Sequence, residues 1–437
     1  MAFRKHAGIL DGSERGVRMG RIRLLALLFA SALFVNLCSQ TVLRAAGMRR
    51  KTENKDISAV SEEYRAFWFS FYDYDTYRAE YKKPDASNFK SYFNGVLKKG
   101  KNLGLNRIIV HVRPFGDALY KSEYFPWSSY ISGTQGKDPG FDPLEIMVSS
   151  AHENGMKIEA WINPYRVTLN SADYGKLSKD NPARKWHEGK STKRNVLSYG
   201  GSLYYNPSKK EVRELITSGV REIVENYDVD GIHMDDYFYP SFTKENVNTA
   251  FDAREYNESE EKRQGKDIYT YRCGQVNSLV RQIKETIRET DSSVVYGISP
   301  AGNFETLTSR YAYYVDIYRW LSSNAYVDYI CPQIYWGFKH PTASFDRVTD
   351  QWVKACKKSP VKLYLGIGVY RAGHDEGDSL EEQKEWKSDA DVLKNQVEYG
   401  RKKQVDGFAF FDYRDLAGKT AKKAVERLTE ALKTESY

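Results

Sequence analysis

Cysteine is scarce in this chain, four residues in 437, and the last three, Cys273, Cys331 and Cys356, fall at no paired spacing. That excludes a disulfide framework and a cysteine-ligated zinc site. The seven histidines include no HxH or HExxH spacing, so no ready-made metal chelate is written into the chain. No glycine-rich phosphate turn follows an early strand, which argues against a doubly wound nucleotide-binding sheet. Nor does any apolar run reach the roughly 20 residues of a membrane span. The longest lies within RLLALLFASALFVNLC, about fourteen residues broken by Asn36.

An excess of positive charge is also missing from most of the chain, although the formal net charge is +8. Residues 1–51 hold ten Lys and Arg against Asp11 and Glu14, which leaves 56 basic and 56 acidic side chains for everything after them. A balanced surface gives no field to gather a polyanion, and no nucleic-acid partner is expected. The basic leader and its short apolar segment have the form of a secretory signal. Residues 1–50 are therefore expected to be a leader, residues 51–63 a linker and residues 64–437 one domain. Processing is expected between Asn36 and Met48, and Met19 offers a shorter start. Cys38 is a candidate lipid anchor; otherwise the membrane is met only through the signal. The mature chain is expected to be exported: periplasmic, on the cell surface, or secreted.

Beyond the leader, short apolar strands alternate with amphipathic helices. Strands are expected over 65–73, 105–114, 156–164, 229–237, 294–303, 326–337, 361–370 and 405–413. Several are nearly continuous apolar runs, as in parallel strands covered by helices. Asp142-Pro143-Leu144-Glu145 reads as a helix start, Ser208-Lys209-Lys210-Glu211 as a second, and a further helix is expected over 272–289. Eight βα repeats close most naturally into an α/β (β/α)8 barrel, with long loops after strands three (165–206) and four (240–271) roofing the carboxyl ends of the strands.

Period-two alternation then sorts the strand residues by face. In VDGIHMDDYFYP, Ile232 and Met234 face the helices, so His233 and Asp235 face the barrel axis and Asp236 stands on the rim. The same logic turns His111 and Arg113 inward on strand two, and Glu159, Trp161 and Asn163 on strand three. Gln333 and Tyr335 turn inward on strand six, with Trp336 at its mouth. Strand one ends at Asp73, strand five at Asn303 and strand eight at Asp412. A packing core would not choose so many polar groups for adjacent inward positions, because burying them unpaired is costly. For Glu159 and Arg113 the plain alternative is a buried ion pair with each other. Carboxylates beside aromatic rings suit glycoside chemistry: two carboxyls act on the bond, and flat rings cover the sugar. Tyrosine is common here, 33 residues, and is dense at the strand ends, as in DDYFYP with Tyr237. Asp235 and Asp236 are the leading catalytic carboxylates, with Glu159 in reserve. Asp73, His111, Arg113, Trp161, Asn163, His233, Tyr237, Asn303, Gln333, Tyr335 and Trp336 are candidates for holding substrate.

FWFSFYD, VHVRPFGDALY, EAWINPYRV, YYNPSKKEVRELI, YDVDGIHMDDYFYP, ISPAGN and CPQIYWG together resemble the glycosyl-hydrolase-like family 10 of bacterial exported proteins, over about residues 63–416. The resemblance implies a (β/α)8 barrel, an extracytoplasmic setting and hydrolysis of a polysaccharide, such as the glycan strands of peptidoglycan. It places Asp235 and Asp236 on the family's strand-four motif, and it implies no cofactor. Family 18 chitinases are a more distant likeness, matched at Asp230, Gly231 and Asp235. Here Tyr237 stands where their acid glutamate would be, so that mechanism does not transfer. The second carboxylate stays open. Two rival readings remain: a carbohydrate-binding barrel without turnover, and a metal-dependent hydrolase using His111, His233 and Asp235.

Overall fold

The computed structural model describes residues 62–434, so the expected leader and most of the linker lie outside the described residues. Eight parallel strands close a barrel: β1 (Tyr64–Phe69), β2 (Arg107–Arg113), β3 (Lys157–Ile162), β4 (Gly231–Asp235), β5 (Val295–Ser299), β6 (Tyr329–Ile330), β7 (Lys362–Gly368) and β8 (Gly407–Phe411). Each strand pairs with its sequence neighbours, and β8 closes onto β1. This is the expected (β/α)8 architecture. Among the described residues, no helix is long and apolar enough to cross a membrane.

The helices form because each carries one apolar stripe and a start signal. In α1 (Ala86–Asn102) the Asp85 side chain accepts from the Asn88 N–H, closing a capping box. In α2 (Pro143–Glu153) Asp142 accepts from Leu144 and Glu145, and Pro143 sits in the first turn as expected. α3 (Lys210–Asn226) buries Val212, Ile216, Val220 and Ile223 against the barrel, and α4 (Ile268–Thr290) buries Val276, Leu279, Val280, Ile283 and Ile287. The second expected helix start is corrected. Ser208 does not cap α3, because its hydroxyl donates to Asp252 Oδ2 at 3.0 Å instead.

Three strand ends also differ from the sequence expectation. The chain leaves β1 at Ser70 and enters a helix, Phe71–Glu80, so Asp73 lies in a first helical turn and not at a strand end. The expected strand 326–337 keeps only two ladder residues, because Pro332 has no N–H to continue it. Gln333 still bridges Ala301 and Gly366, so the strand's position in the barrel survives. In β2 the register slips between His111 and Arg113. That bulge turns Arg113 away from the axis, and its guanidinium lies over the Phe125 ring at 4.6 Å.

The barrel interior holds a sealed polar column. Tyr64 Oη donates to Glu159 Oε1 at 3.1 Å, Arg107 Nη1 donates to the same oxygen at 3.0 Å, and Tyr329 Oη donates to Oε2. Two glycines make room for it. A Cβ at Gly231 would stand 2.9 Å from Glu159 Cγ, and one at Gly297 only 1.9 Å from Tyr329 Cζ.

Candidate active site

At the carboxyl ends of the strands the barrel opens into a cleft of about 500 Å³, walled by residues from several strands and the loops after them. The structure brings eight of the sequence candidates to it: Asp235, His111, Trp161, Asn163, His233, Tyr237, Gln333 and Tyr335. Asp235 is the last residue of β4, paired with Ser299 of β5, while the ladder to β3 ends two residues earlier at His233, so its backbone is fixed on the β5 side.

Asp235 is 3% exposed. Its Oδ1 accepts from the Tyr237 N–H at 3.2 Å, and its Oδ2 has no partner among the described residues. The Trp161 indole N–H lies close by without completing a hydrogen bond. Burial pushes the Asp235 carboxyl up to about 7, against the pull of Arg166. Asp236 is equally buried, and its Oδ2 accepts from the Ala301 N–H at 2.6 Å behind the cleft wall. Burial first, then the Asp235 charge, push it up to about 8. Two adjacent carboxyls raised this far retain a shared proton near neutral pH.

Aromatic rings surround the pair. Trp161 stacks on His111 with centroids 3.6 Å apart, and both imidazole nitrogens of His111 lack partners among the described residues. Burial, helped by Arg166, holds that imidazole well below its ordinary pKa. Opposite, Tyr335 lies nearly parallel to Phe411 at 5.9 Å and edge-on to Tyr370 at 5.8 Å. His233 forms part of the floor. Its Nε2 accepts from Trp68 Nε1 at 3.2 Å, so Nδ1 carries the proton and donates to Tyr329 Oη at 2.7 Å. Burial lowers its pKa to about 3, leaving a neutral ring whose acceptor nitrogen is already engaged. His233 is therefore a poor metal ligand, and among the described residues no His, Cys, Asp and Glu group forms a metal cage.

Six candidates fall elsewhere. Glu159 faces the axis as alternation requires, but below the cleft, enclosed by Tyr64, Tyr329 and Arg107 and not by Arg113. Arg113 is turned out by the bulge. Asp73 is sealed by Ser70, whose N–H donates to its Oδ2 at 2.6 Å, and burial with the Asp412 charge pushes it up to about 7. Asn303 caps the short helix Phe304–Leu307, accepting from Glu305 at 2.8 Å. Trp336 packs beside His340 at 5.9 Å. Asp236 lies directly behind Asp235.

The structure also places in the cleft residues that the sequence reading passed over: Trp68, Arg166, Ser299, Tyr370, Arg414 and Asp415. Trp68 alternates inward with Ala66 on β1, a signal the sequence carried. Arg166 and Asp415 stand past the ends of their strands, where alternation gives no direction. Asp412 caps a short helix and holds Arg414 at 3.0 Å, while burial and Asp412 push Asp415 up to about 6. The expected roof is partly built. The loop after β3 reaches the cleft through Arg166 and Leu169, the loop after β4 through Tyr237.

The sequence model of the glycosyl hydrolase-like 10 family matches residues 63–388 of this chain. The chain belongs to that family. Family relatives include the glycosyl hydrolase YngK of Bacillus subtilis, 37% identical over 65% of this chain and 57% of its own length. Glycosyl hydrolase DigH of Escherichia coli is 32% identical over 62% of this chain and 64% of its own length. The chain thus spans about three fifths of these relatives. Among solved structures, the PgaB glycoside hydrolase domain of Bordetella bronchiseptica aligns with TM-score 0.56 at 12% identity, over 86% of this chain and 100% of that one. The catalytic domain of a Paenibacillus polymyxa beta-amylase aligns with TM-score 0.51 at 13% identity, over 86% and 100%. At such identities the likeness establishes the fold alone, the (β/α)8 barrel.

Proposed function

We propose that the chain is an exported glycoside hydrolase that cleaves bacterial cell-wall glycan strands, with the two strand-four aspartates as its catalytic carboxyls. The observation that carries this is the Asp235 carboxyl: held by its pairing with β5, lining an aromatic cleft, and left with one buried, unpartnered oxygen. In this reading Asp235 faces the anomeric carbon as nucleophile, base or stabilising anion. Asp236, held neutral by burial and by its neighbour's charge, is the proton donor of this reading, although it stands behind Asp235 and outside the cleft lining. The faces of Trp161, Tyr335 and Tyr237 cover the apolar faces of the sugar rings, and Asn163 and Gln333 address hydroxyls. The basic, apolar leader supports export, and the resemblance to an exported family supports a wall polymer.

Asp415 is the competing second carboxyl, because it lines the same cleft from the segment after β8, the strand opposite β4 in the barrel order. The test is digestion of peptide-free peptidoglycan strands beside a broad glycan panel, read by product mass. Soluble fragments are expected from the wall strands. A panel left intact by a protein that still binds one member would instead make this a carbohydrate-binding barrel.

A further inference from the structure

Resting on the glycosidase reading, we infer that Arg166 makes the cleft selective for a glycan that carries a carboxylate substituent near the scissile bond. The backbone around Arg166 is pinned. Residues 165–167 run alongside the hairpin Val196–Tyr199/Ser202–Tyr205: Tyr205 donates to the Tyr165 carbonyl at 2.8 Å, Val167 to the Leu203 carbonyl at 3.0 Å, and Arg166 bridges Tyr204 between them. The side chain lies with its guanidinium carbon 4.1 Å over the Tyr237 ring in the cleft wall.

What it lacks is a counter-ion. Arg107, Arg194, Arg272, Arg401 and Arg414 each hold a carboxylate at 2.6–3.0 Å. Among the described residues, none holds Arg166 at ion-pair distance, and none takes a hydrogen bond from it. Asp235 and Asp236 feel its charge without pairing with it.

A ring stack occupies only the face of a guanidinium. Its edge keeps the paired N–H donors that match a carboxylate in two parallel bonds. A neutral sugar entering this cleft would strip water from a permanent cation and return only hydroxyls, a poor exchange for a charged group. A carboxylate restores the lost charge interaction and is oriented by the fork. Two sources share this chemistry, a carboxyalkyl ether on an amino sugar and the C6 acid of a uronate.

The experiment compares wild type, Arg166→Met and Arg166→Lys on peptide-free wall glycan strands, on the same strands with carboxyls reduced to alcohols, and on a polyuronate. Both kcat/KM and direct binding are measured, with a thermal melt for each variant. Wild type is expected to lose roughly 10- to 100-fold in both on carboxyl reduction, the size of one charge-assisted pair. Arg166→Met should show that loss in binding on native strands and none on reduced ones. Its kcat/KM should fall on both, because the Asp235 carboxyl rises without the cation, but by that further factor on native strands only, while Arg166→Lys keeps part of the preference. Preference for the polyuronate over the wall strands would assign the acid to C6. Equal losses on native and reduced strands would overturn the inference, placing Arg166 on Asp235 and not on the substrate. Carboxylate-dependent binding without turnover would uphold it while removing the glycosidase reading, and absence of both would remove it as well.

Discussion

Asp235 ends a barrel strand and is held by its pairing with Ser299 of β5, whereas the carboxyls beyond it depend on the local segments after the strands. That difference separates Asp235 from Asp236 and Asp415 and decides which substitution tests what. Asp236→Asn and Asp415→Asn are expected to diverge. The variant lacking the true acid should lose turnover on natural glycans by roughly 10²- to 10⁴-fold, and far less on aryl glycosides whose leaving group needs no proton. We expect that pattern for Asp236→Asn; finding it for Asp415→Asn alone would move the acid across the cleft. Alternation identified Asp235, His111, Trp161 and His233 from sequence because these sit within regular strands. It could not give the height of Glu159 along the axis, since facing inward is the same statement at the floor and at the mouth. Nor could it foresee Arg113, because one bulge inverts every face after it.

At the scale of elements, β3, β4 and β6 are tied together by the polar column rather than by apolar packing alone. Tyr329, from the shortest strand, spans Glu159 of β3 and His233 of β4, in space kept by Gly231 and Gly297. Glu159→Gln leaves the Arg107 charge with a neutral partner, and loss of such a buried pair costs about 3–5 kcal/mol. A lowered denaturation midpoint is therefore expected, with kcat in the folded fraction changed only a few-fold. A normal midpoint with turnover lost a thousandfold would return Glu159 to the role of acid. These ties were invisible in the sequence. The glycines read as weak strand formers, and nothing in the motif CPQIYWG announced that Pro332 would end its strand after two ladder residues.

Over the whole molecule, burial pulls titrating groups in opposite directions, and the pH dependence of stability follows. Asp73, Asp235 and Asp236 are raised to about 7, 7 and 8, so the stability they contribute is full below about pH 4 and is lost as pH rises through those values. His233 is lowered to about 3, so its contribution is present above about pH 6.5 and is lost as pH falls toward 3. Asp73 lies outside the cleft and isolates the first limb. The melting midpoint of Asp73→Asn should gain on wild type between pH 5 and pH 8; a constant difference would mean that Asp73 is ionised throughout. The barrel and its closure were legible in the eight βα repeats, while the cleft's second wall was not, because Tyr370, Arg414 and Asp415 come from helical segments of three to five residues, too short for a periodic signal. The most direct test of the central claim is Asp235→Asn against wild type on peptide-free wall glycan strands, with binding and product mass measured on the same samples. A folded variant that still binds the strands and releases fragments slower by roughly 10²- to 10⁴-fold is expected. Near-normal release by the folded variant would contradict that claim.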